Sequence, residues 1–189
     1  MSSVPAAAPP APPAPPENPT RVGPVLVAFA LGTLAAVALG VYGRLHTPTG
    51  QAVNLAGFSS GLAAKSFLAT VAMVLAVVQT VTAMALFGRI RLTGAWVAPV
   101  HRWSGRLAVA VTVPVAVHCL YALGFQTYDT RTLVHSLFGC FFYGAFVVKM
   151  LVLTRDDSPK WALPLMGGLV LTGLTALWMT AAMWFYLIA

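Results

Sequence analysis

Of the 189 residues, 59% are hydrophobic and 8% are charged, about a third of the ~25% charged residues with which a soluble domain covers its surface. That deficit excludes a water-soluble globular domain, and two cysteines exclude a disulfide framework. The formal charge of +7 is no nucleic-acid footprint, because the Lys and Arg residues are spread thinly and gather toward one membrane face.

In chain order, residues 1–21 come first as a Pro/Ala-rich lead-in that holds eight of the fourteen prolines. With no apolar side chain larger than Val4 beyond Met1, it cannot offset its ordering entropy, and it is expected to be a disordered, polyproline-II-rich tail. It has neither the basic start nor the short apolar stretch of a signal peptide. Residues 22–189 read as one domain. Five stretches in it reach the about 20 apolar residues that a ~30 Å hydrocarbon core requires: about 22–42, 62–87, 101–123, 133–153 and 161–188.

Backbone polar groups in lipid must be satisfied within their own segment. The predicted fold is therefore all-α, an integral membrane five-helix bundle surrounded by lipid bilayer. Pro114 inside the third span predicts a kink and a freed carbonyl in the turn before His118. Gln79 and Thr80, in mid-span two, predict interhelical hydrogen bonds or a quinone headgroup contact. Gly167, Gly168 and Gly173 in span five predict close helix packing. Lys65 and Lys149, near span ends, are expected to snorkel.

Orientation follows from basic residues. With the N-terminus cytoplasmic, the inner face holds eight (Arg21, Arg89, Arg91, Arg102, Arg106, Lys149, Arg155, Lys160) and the outer face three (Arg44, Lys65, Arg131). The expectation is a multi-pass cell-membrane protein with an extracytoplasmic C-terminus. Trp96, Trp103 and Trp161 then form an inner aromatic belt, and Trp184 and Tyr186 an outer one.

Four histidines carry the functional argument. His118 falls ~7 Å below the outer end of span three and His135 ~3 Å below that of span four, at 1.5 Å per residue. Two imidazoles at similar depth on antiparallel neighbours can ligate one metal ion. Ligating groups at membrane depth default to a functional reading, and neutral imidazole suits haem iron. Bis-histidine ligation leaves no open coordination position and favours electron transfer.

A macrocycle needs small neighbours. Gly139 lies one turn after His135, Gly105 repeats that His-x-x-x-Gly spacing after His101, and Ala122 takes the place for His118. Arg131, four residues before His135, can meet a propionate. His101, beside Arg102, reads as interfacial and is the weaker ligand candidate; His46 reads as a loop histidine. His101 and His118 are 17 residues apart, or about 100° around a helix, so they do not face one cleft. A second haem on His101 would need Met84 or Met150 as partner, which favours one haem. Cys119 and Cys140 read as buried free thiols, with a disulfide as the alternative.

The segment HRWSGRLAVAVTVPVAVHCL, followed by HSLFGCFFYGAFVVK, resembles the paired His-x-x-x-Gly helices of cytochrome b561-type and ferric-reductase-like membrane haem proteins. The resemblance covers about 55 residues. It implies haem b with His118 and His135 as ligands and His101 as a weaker third. Spans two and five contain no histidine, whereas cytochrome b561 proteins draw ligands from four helices; the implied form here has a single haem. The chain after residue 21 also resembles an uncharacterised actinobacterial family of five-span membrane proteins. Lys65 with Gln79, His118-Cys119, Gly124-Phe125, Gly139-Cys140 and Tyr143-Gly144 carry that likeness.

The resulting expectation is a b-type cytochrome-like electron-transfer protein with one haem b near the outer face, between spans three and four. It would be an electron carrier or oxidoreductase subunit rather than a stand-alone enzyme, working with a quinone or membrane redox partner; a Rieske-type partner rests on analogy alone. The rival is a cofactor-free structural or accessory subunit whose histidines hydrogen-bond within a packed interface. No Walker loop, dinucleotide fingerprint or hydrolase elbow occurs. With no acidic residue inside any span and no inverted repeat, a transporter is disfavoured.

Overall fold

The computed structural model describes residues 22–51, 54 and 57–188; the tail expected over residues 1–21 lies outside them. The long helices are α1 (Gly23–Leu45), α2 (Gly61–Leu86), α3 (Val97–Val117), α4 (Thr130–Leu153) and α5 (Ala162–Trp178). α3 runs on into a π-helical turn, His118–Leu123. α5 runs on into a second one, Met179–Met183, and then a last α-helical turn, α6 (Trp184–Ile188). Five continuous helical segments of 23 to 27 residues are long and apolar enough to cross a membrane, the shortest reaching about 35 Å at 1.5 Å per residue. The protein is an all-α, multi-pass membrane protein, with Leu26, Leu34, Val74 and Leu137 among the large apolar side chains on its outer surface. Trp96, Trp103 and Trp161 are exposed at one end of the bundle and Trp184 and Tyr186 at the other, as interfacial belts require.

Two helix starts differ from the hydropathy reading because hydrogen bonds outside the apolar runs set them. α3 begins at Val97 rather than at 101, where the chain leaves the basic linker through Gly94, whose carbonyl accepts from Val97 N at 3.2 Å. α4 begins at Thr130 rather than at 133, because the Asp129 carboxylate accepts from the Thr132 backbone N–H at 2.8 Å. That N–H first, then the Thr132 hydroxyl and nearby Arg131, hold the Asp129 carboxyl below its ordinary value. A depressed folded-state value adds stability that is complete above the unfolded value of about 3.9 and disappears as pH falls through the folded one. Asp129→Ala is therefore expected to lower the melting temperature at neutral pH. The gap to wild type should narrow progressively as the pH of the melt falls below the ordinary aspartate value of about 3.9. A gap unchanged at acid pH would remove the cap from the account.

Chain neighbours are not all spatial neighbours. The close helix pairs are α1 with α4, α2 with α3, and α4 with α5; α2 touches α5 more lightly, and α3 meets α4 hardly at all. The α1–α4 crossing is backbone on backbone. A Cβ added at Gly144 would lie 2.7 Å from the Gly32 carbonyl oxygen and 2.9 Å from the Ala36 Cβ. Small residues at such crossings allow the close approach that holds membrane helices together. Of the span-five glycines, Gly173 abuts Phe142, where an added Cβ would meet its Cα and Cβ at 3.3 Å. Gly167 and Gly168 face open space, with nothing within 4 Å, so the close packing expected there is made by Gly173 alone.

Two clusters fill the core. Val25, Ala28, Val148, Val152, Ala162 and Met166 pack α1, α4 and α5 together at the end where α1 and α5 begin. Ala72, Ala76, Phe142 and Leu174 join α2, α4 and α5 at mid-height. Toward the opposite end, which carries the α1–α2 and α3–α4 loops, the space between helices is not filled.

Candidate functional site

That space is a cavity of ≈ 630 Å³, within the about 300–1,000 Å³ of small-molecule and cofactor sites. It lies where α3 and α4 stand apart. Thr112, Ala116 and Cys119 line it from the α3 side, and Arg131, His135, Gly139, Cys140 and Tyr143 from α4. Lys65 and Ser66 of α2, and Trp178 and Thr180 of the α5 segment, complete the wall. The seam is tied at two points. The Tyr143 hydroxyl donates to Thr112, 3.1 Å from both its carbonyl and hydroxyl oxygens. Ser136 Oγ accepts from Gln126 N at 3.1 Å and donates to its carbonyl at 3.2 Å.

His135 and Arg131, one turn apart on α4, are both held by Thr180 in the second π-helical turn. His135 Nδ1 lies 3.0 Å from Thr180 Oγ1. Arg131 Nη1 donates to the Thr180 carbonyl at 2.7 Å, and its guanidinium stacks on Trp184, 4.9 Å from the ring centre. Gly139 leaves room one turn below His135, since an added Cβ would meet only Leu177 Cδ2, at 3.9 Å. Lys65 has no ion-pair partner among the described residues, where the one ion pair is Arg131–Asp129 at 3.9 Å. With two cations and no carboxylate on its wall, the cavity is electropositive and suits a ligand with an apolar body and an anionic edge.

His118 opens the first π-helical turn, four residues after Pro114. It is 7% exposed, and its Nδ1 is the one buried side-chain polar atom without a hydrogen-bond partner among the described residues. Leaving such an atom unsatisfied costs about 1–3 kcal/mol, and native structures make few such exceptions. His118 is not on the cavity wall, whereas its neighbour Cys119 is. Cys119 and Cys140 are free thiols. Among the described residues no three His, Cys, Asp or Glu side chains cluster to hold a metal ion.

The two weaker candidates stand elsewhere. His101, near the start of α3, places Nδ1 2.9 Å from Thr82 Oγ1 of α2. Its carbonyl accepts from the Gln79 amide, which also donates to Ser104 Oγ at 2.9 Å. The Gln79 side chain fills the notch at Gly105, where an added Cβ would meet it at 3.1 Å. Gln79 thus makes an interhelical bond, while Thr80 turns back onto its own helix at Ala76 O, 2.8 Å away. His46 follows α1 and stacks between Tyr42 (5.1 Å, 9°) and Tyr121 (5.0 Å, 23°), with Nε2 3.2 Å from the Tyr121 carbonyl. Thr49 N and Gly50 N reach the Tyr121 and Ala122 carbonyls at 3.3 and 3.0 Å. His46 therefore clips the α1–α2 loop to the first π-helical turn.

Sequence reasoning missed Thr180 and took Lys65 as a snorkelling residue. Thr180 lies 45 residues from His135, and no local pattern links them. A family of unknown function, DUF6529, has a model that matches residues 25–188. No curated protein and no solved structure matches the chain.

Proposed function

We propose that the chain, which belongs to the DUF6529 family, is a membrane electron-transfer protein of b-type cytochrome character. It would hold one haem b in the cavity between α3 and α4. The observation that carries this reading is the cavity itself: a space of cofactor size between two helices, with His135 on its wall. The orphaned Nδ1 of His118 adds a second buried imidazole at the same end of the bundle. The wall residues fit one ligand and an anionic edge: His135 would serve as an iron ligand, Gly139 would admit the macrocycle, and Arg131 and Lys65 would face its carboxylates. His118, the second ligand in this reading, lies off the wall and would have to turn its ring into the cavity beside Cys119. When bound, haem supplies a one-electron couple. The chain's own part is to hold the imidazoles, neutralise the anionic edge and exclude water with the apolar walls.

The excess of basic residues on the other side of the bundle supports placing the N-terminus in the cytoplasm and the cavity toward the outer face. A quinone or a membrane redox partner would then exchange electrons with it. The reading is tested by reduced-minus-oxidised spectra and a pyridine haemochrome assay on protein expressed with haem supplementation. A b-type signal at one haem per chain, lost in both His118→Ala and His135→Ala, is the expected result. Well-folded protein without stoichiometric haem would overturn it.

That outcome would favour the second reading, a cofactor-free structural or accessory subunit. The bonds from His135 to Thr180 and from His101 to Thr82, which tie helices together, are the observation on its side.

A further inference from the structure

We infer that Thr180 is a positioning residue: its hydroxyl fixes His135 as the Nδ1–H imidazole and leaves the Nε2 lone pair as the ring's donor to whatever the cavity receives. The inference deepens the cytochrome reading and rests on it for the identity of that group.

Thr180 Oγ1 has one hydrogen. It lies 2.7 Å from the Ala176 carbonyl, 3.3 Å from the Leu177 carbonyl and 3.0 Å from His135 Nδ1. A carbonyl oxygen can only accept, so a contact at 2.7 Å requires the hydroxyl to donate to Ala176, in the back-bonding that threonine makes inside helices. Were the hydroxyl to donate to His135 instead, two oxygen lone pairs would face each other at 2.7 Å. With its hydrogen committed to Ala176, Oγ1 can only accept from the ring, and Nδ1 must carry the proton. A neutral imidazole has one N–H, so Nε2 keeps its lone pair. No carboxylate on the cavity wall stands ready to hold a second ring proton.

The second π-helical turn makes this possible. The Thr180 hydroxyl serves His135 while its carbonyl holds Arg131, so one residue sets both the lone pair and the cation on the α4 wall. An imidazole whose other nitrogen donates to a fixed acceptor is oriented and made more basic as a metal ligand. His101 obeys the same count, because Thr82 Oγ1 donates to the Val78 carbonyl at 2.7 Å and accepts from Nδ1 at 2.9 Å. It lies off the cavity and supplies an internal reference.

The test is nitrogen NMR of the full chain, 15N-labelled at histidine and purified without haem in lipid nanodiscs. Couplings to the ring protons show which nitrogen is protonated. His135 is expected to have a pyrrole-type Nδ1 and a pyridine-type Nε2, matching His101. Thr180→Val should abolish that preference at His135 alone and weaken haem binding about 10–100-fold, and Thr180→Ser should restore both. A wild-type His135 protonated at Nε2, or a Thr180→Val spectrum unchanged from wild type, would overturn the inference. If Thr180→Val fails to fold, the wild-type spectrum decides. The expected spectrum in a protein that takes up no haem would sink the cytochrome reading and leave the role of Thr180 standing.

Discussion

Gly144→Leu is expected to prevent the bundle from assembling. The Cβ alone would sit 2.7 Å from the Gly32 carbonyl oxygen, so the clash is with backbone and no side chain can turn aside to relieve it. Overpacking a core costs about 1–3 kcal/mol when neighbouring side chains can shift. Here α1 must move off α4 as a whole, which also separates Val25 and Ala28 from Val148 and Val152. The expected result is little monodisperse protein on size-exclusion chromatography and a lower melting temperature for what remains. Gly168→Leu is the control: nothing lies within 4 Å of its Cβ position, and it should behave as wild type. A Gly144→Leu protein that melts with wild type would mean that α1 does not cross α4 at these residues.

Gly139→Phe should have opposite effects on stability and on cofactor uptake. Gly139 lines the cavity, and a Cβ there would meet only Leu177 Cδ2 at 3.9 Å, so a phenylalanine side chain starts into open space. Phenylalanine is a few tenths of a kcal/mol better than glycine in a helix, and a ring that fills empty space gains dispersion contacts with the cavity lining. The cofactor-free protein should therefore melt higher than wild type. The ring takes up space that a macrocycle needs, so haem uptake should be lost, as read by the haemochrome assay. A packing defect and a binding site are told apart by this pair of measurements. Wild-type haem stoichiometry in Gly139→Phe would put the haem outside this cavity.

How much of this was legible in the sequence differs by element. The five spans were, because a run of some 20 apolar residues has one stable form in lipid. Their ends were less so. Asp129 caps α4 from outside the apolar run, where hydropathy carries no information. The partner of α1 was hidden as well. Gly32, Ala36 and Gly40 recur every fourth residue, a pattern that marks a close helix contact, but nothing in it names Gly144 as the residue opposite. Of the candidate site, His135, Gly139 and Arg131 do share one wall, since residues four apart on a helix lie on one face. His118 lies at the same end of the bundle as the cavity, yet it opens a π-helical turn off that wall. The two π-helical turns have no signature in composition. Thr180, the residue that holds His135 and Arg131 together, became visible only when α5 was set beside α4.

The weak α3–α4 seam also bears on how a bulky group could enter a bundle that encloses its destination. The helices form two blocks, a hairpin of α2 with α3 and a trio of α1, α4 and α5, joined by the α2–α5 contact, by the Trp178 indole donating to Thr70 Oγ1 at 3.0 Å, and by the end of α1 against the first π-helical turn. Regions with few buried contacts open at the lowest free energy. Hinged on α2–α5, the blocks can part along α3–α4 at the cost of the Tyr143–Thr112 tie and of the bonds that join the end of α1 and its loop to the first π-helical turn and the loop after it, from His46, Thr49 and Gly50 and from Phe125 N to the Gly43 carbonyl at 2.7 Å, while the backbone crossing of α1 and α4 stays closed. The doorway would then face sideways, between two helices and level with the lipid, so loading would come from the bilayer and not through the loops above.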